Sequence, residues 1–170
     1  MTTSPPASGT ASYAIRTATA DDLADIQELL ISNHLPTEGV EAALCGFLVA
    51  ESQRRIVGVV GMEACGSYGL LRSTAVAPEW RGRGVARQLV ERIIAEAESR
   101  GVRALYLLTT TAETYFPSFG FRVTTRDAVP DEIRATGEFE GACPASATVM
   151  CRGARAEDVV AVGIPTKRGV

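Results

Sequence analysis

Residues 76–86 read VAPEWRGRGVA, with Arg81, Gly82, Arg83 and Gly84 set between Pro78 and a long apolar-striped segment. That segment is the clearest helix in the chain. Val85, Leu89, Ile93 and Ala97 line up with Ala86, Val90 and Ile94 on one face, while Arg87, Glu91, Arg92, Glu96 and Glu98 fall largely opposite. Gly101 then supplies a helix stop. A helix opening near Gly84 leaves its first backbone N–H groups without partners and carries about half a positive charge at that end. Gly82 and Gly84 clear the approach and permit unusual dihedrals, and Arg81 and Arg83 add charge. Together these features describe a pyrophosphate cradle. The stretch is neither a Gly-x-Gly-x-x-Gly dinucleotide fingerprint nor a Walker loop ending in Lys-Ser/Thr.

The flanking segments set the fold class. YGLLRSTAVA (68–77) reads as the strand before the cradle, and RALYLLTT (103–110) follows the helix. The second strand is too apolar for one wet face, so it belongs at the centre of a sheet. A helix joining two such strands requires a parallel crossover. Upstream, FLVAE (47–51), a polar turn at 52–54 and RIVGVVGMEA (55–64) form a hairpin. YAIRTA (13–18) is a short strand. TADD (19–22) resembles a capping box in which Thr19 caps and Asp22 reaches back, ahead of a helix marked by Leu23, Ile26 and Leu30. A weaker helix runs over 36–44. Downstream, AETYFPSF (112–119) is a short helix broken near Pro117, GFRVTTR (120–126) a strand, VPDEIRATGEF (129–139) helical with Pro130 near its first turn, and ATVMCR (147–152) a closing strand. The fold class is α/β, mixed in the α+β sense, with one central βαβ unit.

Composition bounds the function. The chain has 170 residues, 46% of them hydrophobic and 22% charged, with a net charge of -3. That size suits one domain, over 13–152, and the charge gives no reason to expect nucleic acid. No apolar run approaches the roughly 20 residues that span a bilayer, and MTTSPPASGTAS lacks a signal-peptide layout, so a cytoplasmic protein is expected. Residues 1–12 read as a disordered leader and 153–170 as an irregular tail. Cys45, Cys65, Cys143 and Cys151 show no Cys-x-x-Cys spacing, and His34 is the single histidine. No metal site is therefore expected, and the cysteines read as small buried hydrophobes.

With the cradle, the strand STAVAP (73–78) before it and AETYFPSFGF (112–121) after it, the sequence resembles the GNAT superfamily of acyl-CoA N-acyltransferases. The hallmark Arg/Gln-x-x-Gly-x-Gly/Ala is met by Arg81, Gly84 and Ala86. More narrowly, YLLTTTAETYFPSFGFR, EIRATGEF and CPASA look like the arsenic-resistance-associated N-acetyltransferases. The resemblance implies a mostly antiparallel twisted sheet of six to seven strands with helices on both faces. It implies acetyl-CoA in a cleft where the strands at 70–77 and 104–110 splay apart. Backbone N–H groups from Gly82 through Arg83, Gly84 and Val85 to Ala86 would bind the pyrophosphate. The main chain of Thr74, Ala75 and Val76 would pair with the pantetheine arm, and an amide near Ser73 or Thr74 would stabilise the oxyanion. A homodimer is a further expectation, by analogy alone.

The chain departs from that pattern at the acid and base. The family's tyrosine, four residues before the Gly-Phe, falls at Phe116; its neighbour Tyr115 is the candidate general acid, with packing as the rival role. Leu70 stands where the usual glutamate base falls, so Glu63 is the substitute, with a solvated hairpin charge as its rival reading and Glu113 a weaker candidate. Deprotonating a lysine-like amine at pH 7 costs about 4.6 kcal/mol, an α-amine only about 1.1 kcal/mol. An enzyme without an obvious strong base therefore suits α-amines or a water relay. Arg72 is positioned to pair bidentately with a substrate carboxylate, a structural salt bridge being the rival reading. Cys143, alone before a proline, reads as packing rather than as an arsenic ligand. The expected activity is N-acetylation of a small amine, with an α-amino acid or amino-acid-like toxin as the expected acceptor. The alternatives are a non-catalytic acyl-CoA sensor and a protein N-terminal or lysine acetyltransferase.

Overall fold

In the computed structural model, which describes residues 12–153, the helix start at Gly84 follows the two longest strands of the sheet after a 3-10 turn at Pro78–Trp80. Seven strands form one sheet: β1 (Ala14–Thr17), β2 (Phe47–Ser52), β3 (Arg55–Cys65), β4 (Tyr68–Val76), β5 (Ala104–Thr109), β6 (Arg122–Thr124) and β7 (Thr148–Arg152). Their order is β1-β2-β3-β4-β5-β7-β6. Every pair is antiparallel except β4 and β5, which the helix α3 (Val85–Ser99) connects as a parallel crossover. The expected leader and tail lie, but for Ser12 and Gly153, outside the described residues.

The core follows the apolar stripes. Val85, Leu89, Val90, Ile93, Ile94 and Ala97 of α3 are buried against the sheet, each large side chain contributing about 1.5–3 kcal/mol relative to exposure. Ile26, Leu29 and Leu30 of α1 (Leu23–Ser32) join the same core. A second, smaller core gathers Leu70, Tyr106 and Val149 with Ile133 of α4 (Asp131–Arg134). β5 is buried along nearly its whole length, as its composition requires.

Local chemistry sets the boundaries. The capping box forms: the Thr19 N–H donates to Asp22 Oδ2 at 2.7 Å, and a 3-10 turn at Ala20–Asp22 leads into α1. The β2–β3 hairpin closes through Gln53 and Arg54, both at positive φ, as a two-residue primed turn demands. Three expected helices shrink. Over 36–44 the helix is only α2 (Val40–Ala43), followed by a 3-10 turn at Leu44–Gly46. The segment 112–119 yields one 3-10 turn, Phe116–Phe119, because Pro117 contributes no N–H and Gly120 at φ 86° ends it at once. Over 129–139 the helix stops at Arg134. Thr136 Oγ1 donates to the Ile133 carbonyl, and an irregular turn at Glu138–Ala142 follows.

Candidate active site

The parallel pair makes the cleft. β4 and β5 hydrogen-bond only through Tyr68–Ala104, Gly69–Leu105 and Leu70–Tyr106; past Leu70 the strands diverge. The gap holds a cavity of ≈ 530 Å³ lined by Leu71 through Val76 on one side and Leu107 through Thr109 on the other, with Asn33, Leu35, Tyr115 and Phe116 also in its lining. On the β3 side, Gly61 pairs with Arg72 and Val59 with Ala75, so Ser73 and Thr74 together oppose one residue. This bulge places Ser73 at φ 57°. A left-handed serine in a strand costs on the order of 1–3 kcal/mol and persists only where its surroundings hold it.

A second cavity, ≈ 320 Å³, lies at the α3 N-terminus among Trp80, Gly82, Gly84, Val85 and Arg87. Both cavities touch Val76, Arg81, Ala86 and Tyr115, so they adjoin along one face of the molecule. Gly82 and Gly84 have φ of 73° and 79°, and a Cβ on either would meet nothing within 4 Å. Their conformation and not crowding within the chain therefore requires glycine. The first amides of α3 have no intrahelical acceptor and no side-chain cap. The arginines are partly engaged: Arg81 donates to Asn33 Oδ1 at 2.7 Å and to the Val76 carbonyl at 3.3 Å, and Arg83 lies 5.0 Å over the Trp80 ring. An anion with a long, thin arm suits this pair of adjoining cavities: charge at the helix start, then an unpaired stretch of strand beside a largely apolar lining.

Arg72 lines the cavity, yet its side chain is only 1% exposed. Nε donates to Ser73 Oγ at 3.3 Å and lies 3.2 Å from Glu138 Oε1; Nη1 donates to Glu63 Oε2 at 3.2 Å, and Nη2 to the Glu38 carbonyl. The salt bridge that rivalled substrate binding is thus present, with two carboxylates on one guanidinium. Glu63, 30% exposed, stands directly across the sheet from Leu70. Glu138 is buried, and burial raises its carboxyl above the ordinary range while Arg72 pulls it back. Cys143 donates its thiol to Glu138 Oε2 at 3.6 Å; burial, then that carboxylate, pushes the thiol up to about 11. A thiol held protonated in this way serves as a donor.

Tyr115 borders both cavities and packs edge-on against Phe116 and Phe119. Burial raises its hydroxyl above the usual value, with Arg87 opposing. Phe116 is buried in the cavity lining. Glu113 does not line the cavity; it accepts from Thr148 Oγ1 and ties the 111–115 loop to β7. Sequence reading missed Asn33 and Glu138. Asn33 had a faint signal as the polar residue ending α1, whereas nothing in local spacing marks Glu138, a charge flanked by Gly137 and Phe139. Among the described residues no group of three or more His, Cys, Asp and Glu is placed to hold a metal.

Residues 43–123 match the model of the acetyltransferase (GNAT) domain. The chain is 28% identical over 131 residues to an amino-acid acetyltransferase of Ralstonia nicotianae, covering 71% of this chain and 29% of that protein. It is 28% identical over 135 residues to the Pseudomonas syringae pv. tomato amino-acid acetyltransferase, covering 74% of this chain and 31% of the relative. The chain thus spans less than a third of the length of these relatives. Among solved structures, N-acetylglutamate synthase from Neisseria gonorrhoeae, complexed with coenzyme A and N-acetyl-glutamate, superposes with a TM-score of 0.72 at 22% identity, covering 85% of this chain and 36% of that one. A GNAT-family acetyltransferase from Staphylococcus aureus Mu50 does so with a TM-score of 0.71 at 16% identity, covering 85% and 100%.

Proposed function

We propose that this chain transfers the acetyl group of acetyl-CoA to the α-amine of an amino acid or amino-acid-like small molecule, by direct attack in a ternary complex. One observation carries the reading: the adjoining cavities that reach from the helix start at Gly84 to the unpaired stretch of β4 around Ser73. Acetyl-CoA supplies an activated thioester there. The amides of Gly82, Arg83, Gly84, Val85 and Ala86, with the charge of Arg81 and Arg83, meet the diphosphate. The main chain of Thr74, Ala75 and Val76 receives the pantetheine arm as an added strand. The Ser73 and Thr74 amides face the negative charge that develops on the acyl oxygen.

Attack forms a C–N bond as the C–S bond breaks. The proton the amine sheds passes to Glu63 through water, and the departing sulfur takes one from the Tyr115 hydroxyl, which burial keeps protonated. A substrate carboxylate reaches Arg72 by replacing Glu63, its partly exposed partner, while buried Glu138 stays in place. The names of the curated relatives, amino-acid acetyltransferases, support such an acceptor. The motifs EIRATGEF and CPASA support the narrower likeness to arsenic-resistance-associated enzymes, and with it an amino-acid-like toxin as acceptor. Thiol release from acetyl-CoA across a panel of amino acids and amines tests the reading. Release with one or more α-amino acids is expected; none with any amine, or no binding of CoA by calorimetry, overturns it.

A further inference from the structure

We propose that Glu138 is a positioning residue of the transfer site: through the Arg72 guanidinium it fixes the left-handed backbone of Ser73, and with it the aim of the amides at the bulge. The inference rests on the acyl-transfer reading for its catalytic consequence, but its structural core stands on contacts alone. Ser73 at φ 57° needs a restraint from outside its own strand. Its hydroxyl accepts from Arg72 Nε, and the same nitrogen lies 3.2 Å from Glu138 Oε1. Arg72 has two further anchors, the Glu38 carbonyl and Glu63, but Glu63 is partly exposed and so screened by water. Glu138 is the buried charge of the set, at 5% exposure, where an ion pair acts most strongly and where losing one partner is most disruptive.

The surroundings leave the pair no slack. The second Glu138 oxygen accepts from the Cys143 thiol, which fixes the plane of the carboxylate. On the far side, a Cβ at Gly39, itself at φ 74°, would come within 3.2 Å of Arg72 Nη1. The guanidinium therefore sits clamped between the loop at 38–39, β3 and the irregular turn at Glu138–Ala142. Its remaining outlet is Ser73. A shift of this clamp moves the Ser73 and Thr74 amides, and small misplacements at a reacting centre carry large rate penalties.

The test compares Glu138→Ala, Glu138→Gln and the double variant Glu138→Ala with Ser73→Gly. Glu138→Ala should lower kcat by about tenfold to a hundredfold, short of deleting an oxyanion donor outright, with CoA affinity by calorimetry within about twofold. Glu138→Gln keeps the side chain's size and an oxygen near Nε but not the charge, and should recover a part of the loss. Adding Ser73→Gly should also restore part of it, because glycine holds a left-handed conformation unaided. An unchanged kcat in Glu138→Ala, or a loss that neither companion change relieves, overturns the proposal. Should Glu138→Ala not fold, Glu138→Asp replaces it, its shorter arm withdrawing the carboxylate, with the same outcomes. Amide hydrogen exchange at Ser73 and Thr74 needs no turnover and separates the two claims. Faster exchange there in Glu138→Ala, with Val59 and Val49 unchanged, supports the brace even if the wild type releases no thiol; unchanged exchange sinks it.

Discussion

Gly84 shows how a single residue carries an argument from dihedral to ligand. At φ 79°, with open space where a Cβ would go, it tolerates no other residue without backbone strain, although nothing in the chain crowds it. Gly84→Val should therefore cost about 1–2 kcal/mol of stability and weaken CoA binding at least tenfold, read by calorimetry beside a melting curve. Affinity left intact would remove the helix start from the site. Tyr115→Phe tests the proton donor. It should lower kcat by about a hundredfold with CoA affinity preserved, since the ring keeps its edge-on contacts with Phe116 and Phe119. An unchanged kcat leaves Tyr115 a packing residue. The Gly-Arg turn was legible in the chain because its chemistry is local. Glu138 was not, because its partner Arg72 lies on another element and only the closed fold brings the two together.

Elements divide along the same line. Those with an unbroken period, α3 and the β2–β3 hairpin, follow their expected bounds closely, since a strong stripe leaves one way to bury it. The segments around Pro117 and Gly137 mix apolar residues with chain-breaking ones, and tertiary contacts decide their shape. They become single turns although their sequences carry helix-like spacing. The hairpin offers a direct check on turn chemistry. Gln53 and Arg54 occupy positive φ at 48° and 63°, positions for which neither side chain is suited. Gln53→Asn with Arg54→Gly should raise stability by about 1 kcal/mol, seen as a higher denaturant midpoint at constant m-value. A lower midpoint would show that the turn is not of the primed type.

Across the whole molecule, one charged tie binds three elements. Arg16 on β1 donates to Asp22 at 2.7 and 2.8 Å and to Glu51 on β2 at 2.7 Å, joining the sheet edge to the start of α1. The Arg16 hydrogen bonds hold the Asp22 carboxyl down to about 2, against an ordinary 3.8. A depressed carboxyl stabilises the fold above its unfolded value, and that contribution disappears as pH falls from about 4 through 2. With Arg16 partly exposed, the effect is about 1–2 kcal/mol. Asp22→Asn should lower stability at pH 7 by that amount and flatten the curve between pH 4 and 2. An unaltered acid limb in denaturation would assign acid unfolding to other carboxylates.

The strand order carries a consequence for biosynthesis. Among the described residues β6 pairs with β7 alone, and β7 is inserted between β6 and β5. During translation β6 emerges before the one strand it can join, and the outer edge of β5 waits open beside it. The sheet can be completed only when residues 148–152 have cleared the ribosome and slid into that slot. Until then, the nascent chain presents an unprotected β edge of the kind chaperones recognise and aggregation exploits.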